Sequence, residues 1–159
     1  MQHCSSWWLH ISIPVSWHLM NLSFKKKTYN NLTNMKEKLI FIVDDDEMLS
    51  GMLFDRLSSN PNYTVQLYPT GEECLKALDQ HPDVIILDYY LNTIEPDAAN
   101  GMEILQEIKK IDKHITVIML SSQEQYGKAV QTIVKGALEY VVKGQDAFDR
   151  IETIIRAQP

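Results

Sequence analysis

Five short apolar runs set the strongest limit on what this chain can fold into. They are Leu39–Val43, Tyr63–Tyr68, Val84–Leu87, Thr116–Leu120 and Tyr140–Val142. Each is too short for a helix with a solvent face, and most are rich in β-branched residues. Unbroken apolar runs of this kind read as strands covered on both faces. Helical periodicity fills the intervals. Met48, Leu49, Met52, Leu53 and Leu57 form one stripe, Ile104, Leu105, Ile108 and Ile111 a second, Ala129, Val130, Ile133 and Val134 a third, and Ile151, Ile154 and Ile155 a fourth. All of these stripes are expected to pack into the core. Thr70-x-x-Glu73 and Ser122-x-x-Gln125 fit capping boxes that open two of the helices. Strands alternating with helices predict an α/β fold: a doubly wound, five-stranded parallel sheet with right-handed crossovers. In such a sheet the working site lies beyond the carboxyl ends of the strands.

The residues at those ends carry the chemistry. Asp44, Asp45 and Asp46 follow the first run, Asp88 the third, Ser121 the fourth and Lys143 the fifth. An isolated acidic triplet is more often a solvated turn or a helix cap than a metal site, and Asp46 suits a cap. A second carboxylate at the same sheet edge changes the balance, because gathered carboxylates repel and a hard cation relieves the repulsion. Mg²⁺, which takes oxygen ligands and keeps waters, fits such a sparse site. Asp88 alone reads equally well as a strand end or as a nucleophile toward phosphorus. Lys143 suits a phosphate-binding point charge. Ser121 suits a hydrogen-bond donor to a phosphoryl oxygen or, alone, a helix cap.

Composition narrows the class. A chain of 159 residues with 45% hydrophobic and 23% charged residues suits one globular domain. The net charge is -6, and residues 1–34 hold Lys25, Lys26 and Lys27 but no acid, so the acidic excess lies wholly in residues 35–159. An acidic body argues against direct nucleic-acid binding. Cys4 and Cys74 match no metal-ligand spacing; Cys74 is expected in the core, and a reducing, cytoplasmic setting is the simpler reading. The apolar stretch from Trp7 to Phe24 has no basic n-region before it and no small-residue cleavage site after it, so it is a poor signal peptide. His10, Pro14, His18 and Asn21 argue against a membrane span, although Lys25–Lys27 could flank one on the cytoplasmic side. Residues 1–34 are therefore read as a dispensable extension and residues 35–159 as the folded domain.

The segments Phe41-Ile-Val-Asp-Asp-Asp, Val84-Ile-Ile-Leu-Asp88, Val117-Ile-Met-Leu-Ser121-Ser and Tyr140-Val-Val-Lys143 together resemble the receiver domains of two-component response regulators. The resemblance runs from Lys38 to about Ala157. It implies a flavodoxin-like (βα)5 fold with strand order 2-1-3-4-5. It also implies that Asp44 and Asp45 hold Mg²⁺ together with Asp88 and the backbone carbonyl of Tyr90. Asp88 resembles the phosphoacceptor, Ser121 the switch hydroxyl, Lys143 the family's lysine and Tyr140 the aromatic switch residue. Tyr90 and Gln123 stand where the rate of self-dephosphorylation is tuned. The implied donor is a sensor histidine kinase or a histidine phosphotransfer protein. Three departures stand out: a long loop from Tyr89 to Asn100, Leu91-Asn92 after the phosphoacceptor where leucine-proline is usual, and Gly144 where proline often follows the lysine.

The sequence stops at Pro159, directly after the last helical stripe, with no room for an output domain, so the expectation is a stand-alone signalling module that is not an enzyme in the ordinary sense and that acts by binding another protein. The helices near 125–135 and 146–156 would serve a target or a second copy of the chain. Met48 and Met52 could offer adaptable kinase contacts, with core packing the safer reading for at least one. Two rivals remain at this level. A haloacid-dehalogenase-type phosphohydrolase would also use Asp44-x-Asp46 and a lysine, although Met48 stands where that chemistry wants a hydroxyl. A degenerate receiver would act as an adaptor without phosphate.

Overall fold

The computed structural model describes residues 37–91, 100–122 and 125–159. The expectations for residues 1–34, for the acidic loop after Leu91 and for Gln123 lie outside the described residues. The elements run β1 (Lys38–Val43), α1 (Glu47–Ser58), β2 (Tyr63–Tyr68), α2 (Gly71–Lys76), a short 3-10 turn (Leu78–Gln80), β3 (Val84–Asp88), α3 (Gly101–Ile111), β4 (Thr116–Ser121), α4 (Tyr126–Val134), β5 (Glu139–Val142) and α5 (Ala147–Ala157). All strand pairs are parallel and the order is β2-β1-β3-β4-β5, the flavodoxin-like arrangement.

The runs of β1, β3 and β4 are nearly unbroken because alternate residues face two separate cores, whereas β2, at the sheet edge, carries Thr64 and Gln66. Phe41, Val43, Ile85, Leu87, Val117 and Met119 point to one side, where they meet Cys74 of α2 and Ile104, Leu105 and Ile108 of α3. Ile40, Ile42, Val84, Ile86, Ile118 and Leu120 point to the other, against Leu53 and Leu57 of α1 and Ile151 and Ile155 of α5. Burial pushes the Cys74 thiol up to about 12, so it stays protonated and inert as a small core residue.

Side chains close the helix starts. Asp46 accepts from the amides of Met48 and Leu49, each at 3.0 Å, and is the N-cap of α1. Thr70 accepts from Glu73 at 3.3 Å. Asn100 and Glu103 make a reciprocal capping box at α3 that the sequence pattern alone did not single out. The box expected at Ser122 does not open α4, whose N-cap is Gln125, with no capping hydrogen bond from its side chain. Strand β4 runs through Ser121, which pairs with Val142, and the helix starts at Tyr126.

The stripes are also less buried than expected. Met48 is 74% exposed, and Met52, Ile111, Val130, Ile133 and Val134 are exposed as well. A helix lying on a sheet buries only the strip that meets it, and these stripes are wider than that strip. Only Thr132 is fully buried in α4.

Candidate functional site

The carboxyl ends of β1, β3, β4 and β5 bring four of the expected groups together. Asp44 leaves β1 with its amide bonded to the Tyr68 carbonyl (3.2 Å), and its Oδ1 accepts the Asp46 amide at 3.0 Å. Asp88 ends β3 in register with Leu120. Lys143 follows β5, where its amide donates to the Ser121 carbonyl at 2.7 Å. Its Nζ then reaches back across the sheet edge to Asp44 Oδ2 at 2.8 Å and Asp88 Oδ2 at 3.2 Å. One carboxylate oxygen from each of Asp44, Asp45 and Asp88 lies within 4.8 Å of the others. Asp44 and Asp88 are buried and Asp45 is half-buried. Ser121 is wholly buried on the neighbouring strand, and a strand spacing of about 4.8 Å puts its backbone beside that of Asp88.

Three carboxylates against one ammonium leave an excess of negative charge. Burial, and then the charge of Asp44, push the Asp88 carboxyl up to about 6, although Lys143 and the Tyr90 amide both favour its ionised form. Burial raises Asp44 as well, against the pull of Lys143. Burial disfavours the Lys143 ammonium, but its two carboxylate partners outweigh that and hold it above the usual lysine range. Asp88 Oδ1 is buried and accepts no hydrogen bond among the described residues. A buried acceptor left open beside two other carboxylates suits a hard divalent cation, and the all-oxygen donor set fits Mg²⁺ better than a softer metal.

The response regulator receiver domain family matches residues 40–156. This chain belongs to that family. The receiver domain is 30% identical to the chemotaxis protein CheY of Bacillus subtilis over 116 residues, covering 72% of this chain and 92% of that protein. It is 33% identical to the response regulator ArlR of Staphylococcus haemolyticus over 124 residues, covering 76% of this chain and 53% of that protein. It thus spans about half the length of ArlR, and a quarter of longer relatives. Among solved structures, the response regulator domain of Thermotoga maritima CheB superposes with a TM-score of 0.65 at 27% identity, covering 78% of this chain and all of that one.

Tyr90 and Tyr140 are the other described residues that the sequence singles out. The Tyr90 amide bonds the Asp88 carboxylate, and its half-buried side chain faces α4 through Lys128. Tyr140 is buried within the core cluster on the α2 and α3 side of the sheet. Two further residues escaped the sequence reading. Gly101 starts α3 so close to the site that a Cβ there would stand 2.0 Å from the Asp88 carbonyl oxygen and 2.9 Å from Tyr89 Cα. Lys128 of α4 donates to the Tyr90 hydroxyl and lies 4.9 Å from the centre of the Tyr89 ring. A glycine flanked by loop residues carries no sign of such an approach. No local pattern links Lys128 to a tyrosine 38 positions away.

Proposed function

We propose that Asp88 accepts a phosphoryl group and that the phosphorylated receiver presents an altered protein-binding surface. The observation that carries this reading is the Lys143 ammonium touching both Asp44 and Asp88, beside a buried Asp88 oxygen that accepts no hydrogen bond among the described residues. A carboxylate oxygen of Asp88 attacks the donor's phosphorus, the bond from phosphorus to the donor atom breaks, and the electron pair leaves with the donor. Asp44, Asp45, Asp88 and the Tyr90 carbonyl are the residues that would hold Mg²⁺, which when bound neutralises charge on the carboxylates and phosphoryl oxygens. Lys143 compensates further charge, and the Ser121 hydroxyl donates to a phosphoryl oxygen. Water later attacks the same phosphorus, releasing inorganic phosphate and restoring the carboxylate.

The donor class follows from the family: a histidine kinase or a histidine phosphotransfer protein. Met52 on α1, exposed like Met48, lines an open cavity of about 460 Å³ together with Leu120, Ala147, Phe148 and Lys143 among others. Adaptable apolar contacts next to the acceptor suit a docking helix that carries the donor imidazole. On the output side, drawing Ser121 toward phosphate opens space for Tyr140 to move and repack α4 and β5. A full population switch takes roughly 5.5 kcal/mol of preference, which several charge-assisted hydrogen bonds can supply in large part. Residues 35–159 form the receiver in this reading, and residues 1–34 an extension. Among the described residues no helix is long and apolar enough to cross a membrane, in keeping with a cytoplasmic setting.

Incubation with Mg²⁺ and a small acyl phosphate tests the proposal by intact mass. One phosphoryl group is expected on the wild type and none on Asp88→Asn. Lys143→Ala should still label weakly yet bind partners as the unmodified protein does. Steady turnover of an aryl phosphate without phosphoprotein would favour a phosphohydrolase instead. Absence of labelling from several donors would favour an adaptor that works without phosphate.

A further inference from the structure

The two residues after Asp88 are both tyrosines, and each is tied down at more than one point. The Tyr89 amide donates to the Leu120 carbonyl at 2.8 Å, and its own carbonyl accepts the Gly101 amide at 3.1 Å. The Tyr90 amide bonds the Asp88 carboxylate. The two rings pack edge to face, with centroids 4.9 Å apart and planes at 66°. The Lys128 ammonium closes this assembly from α4. It bonds the Tyr90 hydroxyl, sits 4.6 Å from that ring's centre, and lies 4.9 Å from the Tyr89 ring centre, within cation–π range. A continuous path therefore runs from Lys128 Nζ through Tyr90 to the carboxylate of Asp88.

We propose that Lys128 is a positioning residue for the phosphoacceptor, pinning the Tyr90 side chain beside Asp88 and so prolonging the life of the phosphoryl group. The proposal rests on Asp88 being phosphorylated. Hydrolysis requires water to form a bond to phosphorus as the bond from phosphorus to the Asp88 oxygen breaks. The electron pair returns to the carboxylate and the water's protons leave with inorganic phosphate. Tyr90 is half-buried and its amide bonds the Asp88 carboxylate, so in this proposal a ring fixed on that residue restricts the approach of water from its side. Freed from Lys128, the phenol can swing toward solvent and open the approach. Phosphoryl charge at Asp88 also bears on α4 through the same path, because the helix is attached to the segment that follows the acceptor.

Lifetimes are measured by intact mass after the acyl phosphate is removed, in the full chain with Mg²⁺. Lys128→Met, which keeps the apolar stem, and Tyr90→Phe, which keeps the ring, should each shorten the lifetime by roughly threefold to tenfold, the rate equivalent of the net contribution of one ordinary hydrogen bond. The double variant should match either single one, and Lys128→Arg should retain most of the wild-type lifetime. A wild-type lifetime in Lys128→Met, or effects that multiply in the double variant, would overturn the assignment. Amide exchange of Tyr90 in the unphosphorylated protein provides a readout independent of phosphate. Exchange should quicken in Lys128→Met but not in Lys128→Arg, and unchanged exchange in Lys128→Met counts against the pinning role. A wild type that takes up no phosphoryl group from any donor would overturn the phosphoacceptor reading and the lifetime effect together, leaving exchange to decide the pinning role alone.

Discussion

Asp88 is held under two opposed demands. Nucleophilic attack needs its carboxylate ionised, while burial beside Asp44 pushes its carboxyl up to about 6 from an ordinary 3.8. Because the folded-state value lies above that of the unfolded chain, ionising Asp88 opposes folding. The penalty is absent well below pH 3.8, grows as pH rises toward 6, and is fully present above it. The shift corresponds to about 3 kcal/mol. In chelator, Asp88→Asn should therefore stabilise the protein by about 2–3 kcal/mol at pH 7, with the gain vanishing toward pH 4; urea unfolding at both pH values checks this. Mg²⁺ should raise the wild-type melting temperature at pH 7 and raise that of Asp88→Asn much less, because only the wild type has the full carboxylate set to neutralise. Equal metal responses in the two proteins would place the cation elsewhere.

Individual elements hold the site through close backbone approaches. The start of α3 rests on the Asp88 carbonyl at Gly101. Gly101→Ala should cost about 1–3 kcal/mol, because backbone rather than a flexible side chain must yield, and should also slow phosphoryl uptake. Chemical unfolding and labelling kinetics read the two effects separately. At the opposite end of β1, buried Lys38 sends Nζ to the carbonyls of Ile155 (3.3 Å), Gln158 (2.7 Å) and Pro159 (3.2 Å) and so closes the carboxyl end of α5. Lys38→Met should destabilise the protein by about 1–3 kcal/mol and speed amide exchange at the end of α5. The strands were legible in the sequence to within a residue at each end, since burial on both faces leaves continuous apolar runs. Helix exposure was not. The repeat that places Leu53 in the core also places Met52 beside it, and periodicity alone does not say how wide a strip the sheet covers.

For the whole molecule, the parallel topology turned a scattered set of residues into one edge. Every strand points the same way, so residues following Val43, Leu87, Leu120 and Val142 must gather there. That rule made Asp44, Asp88, Ser121 and Lys143 readable before any coordinates. It could not show Lys128, whose contact depends on where α4 settles over the sheet and on side-chain reach. Two exposed apolar faces flank the edge: Met48 and Met52 on α1, and Tyr126, Val130, Ile133 and Val134 on α4. If Asp88 is the phosphoacceptor, the first face receives the donor and the second reports the outcome. The most direct test of that role is to reduce the acyl phosphate with borohydride after labelling in Mg²⁺ and to locate the resulting homoserine by peptide mass. Phosphorylation of Asp88 predicts homoserine at position 88 alone. Homoserine at position 44, 45 or 46, or none anywhere in a labelled protein, would contradict it.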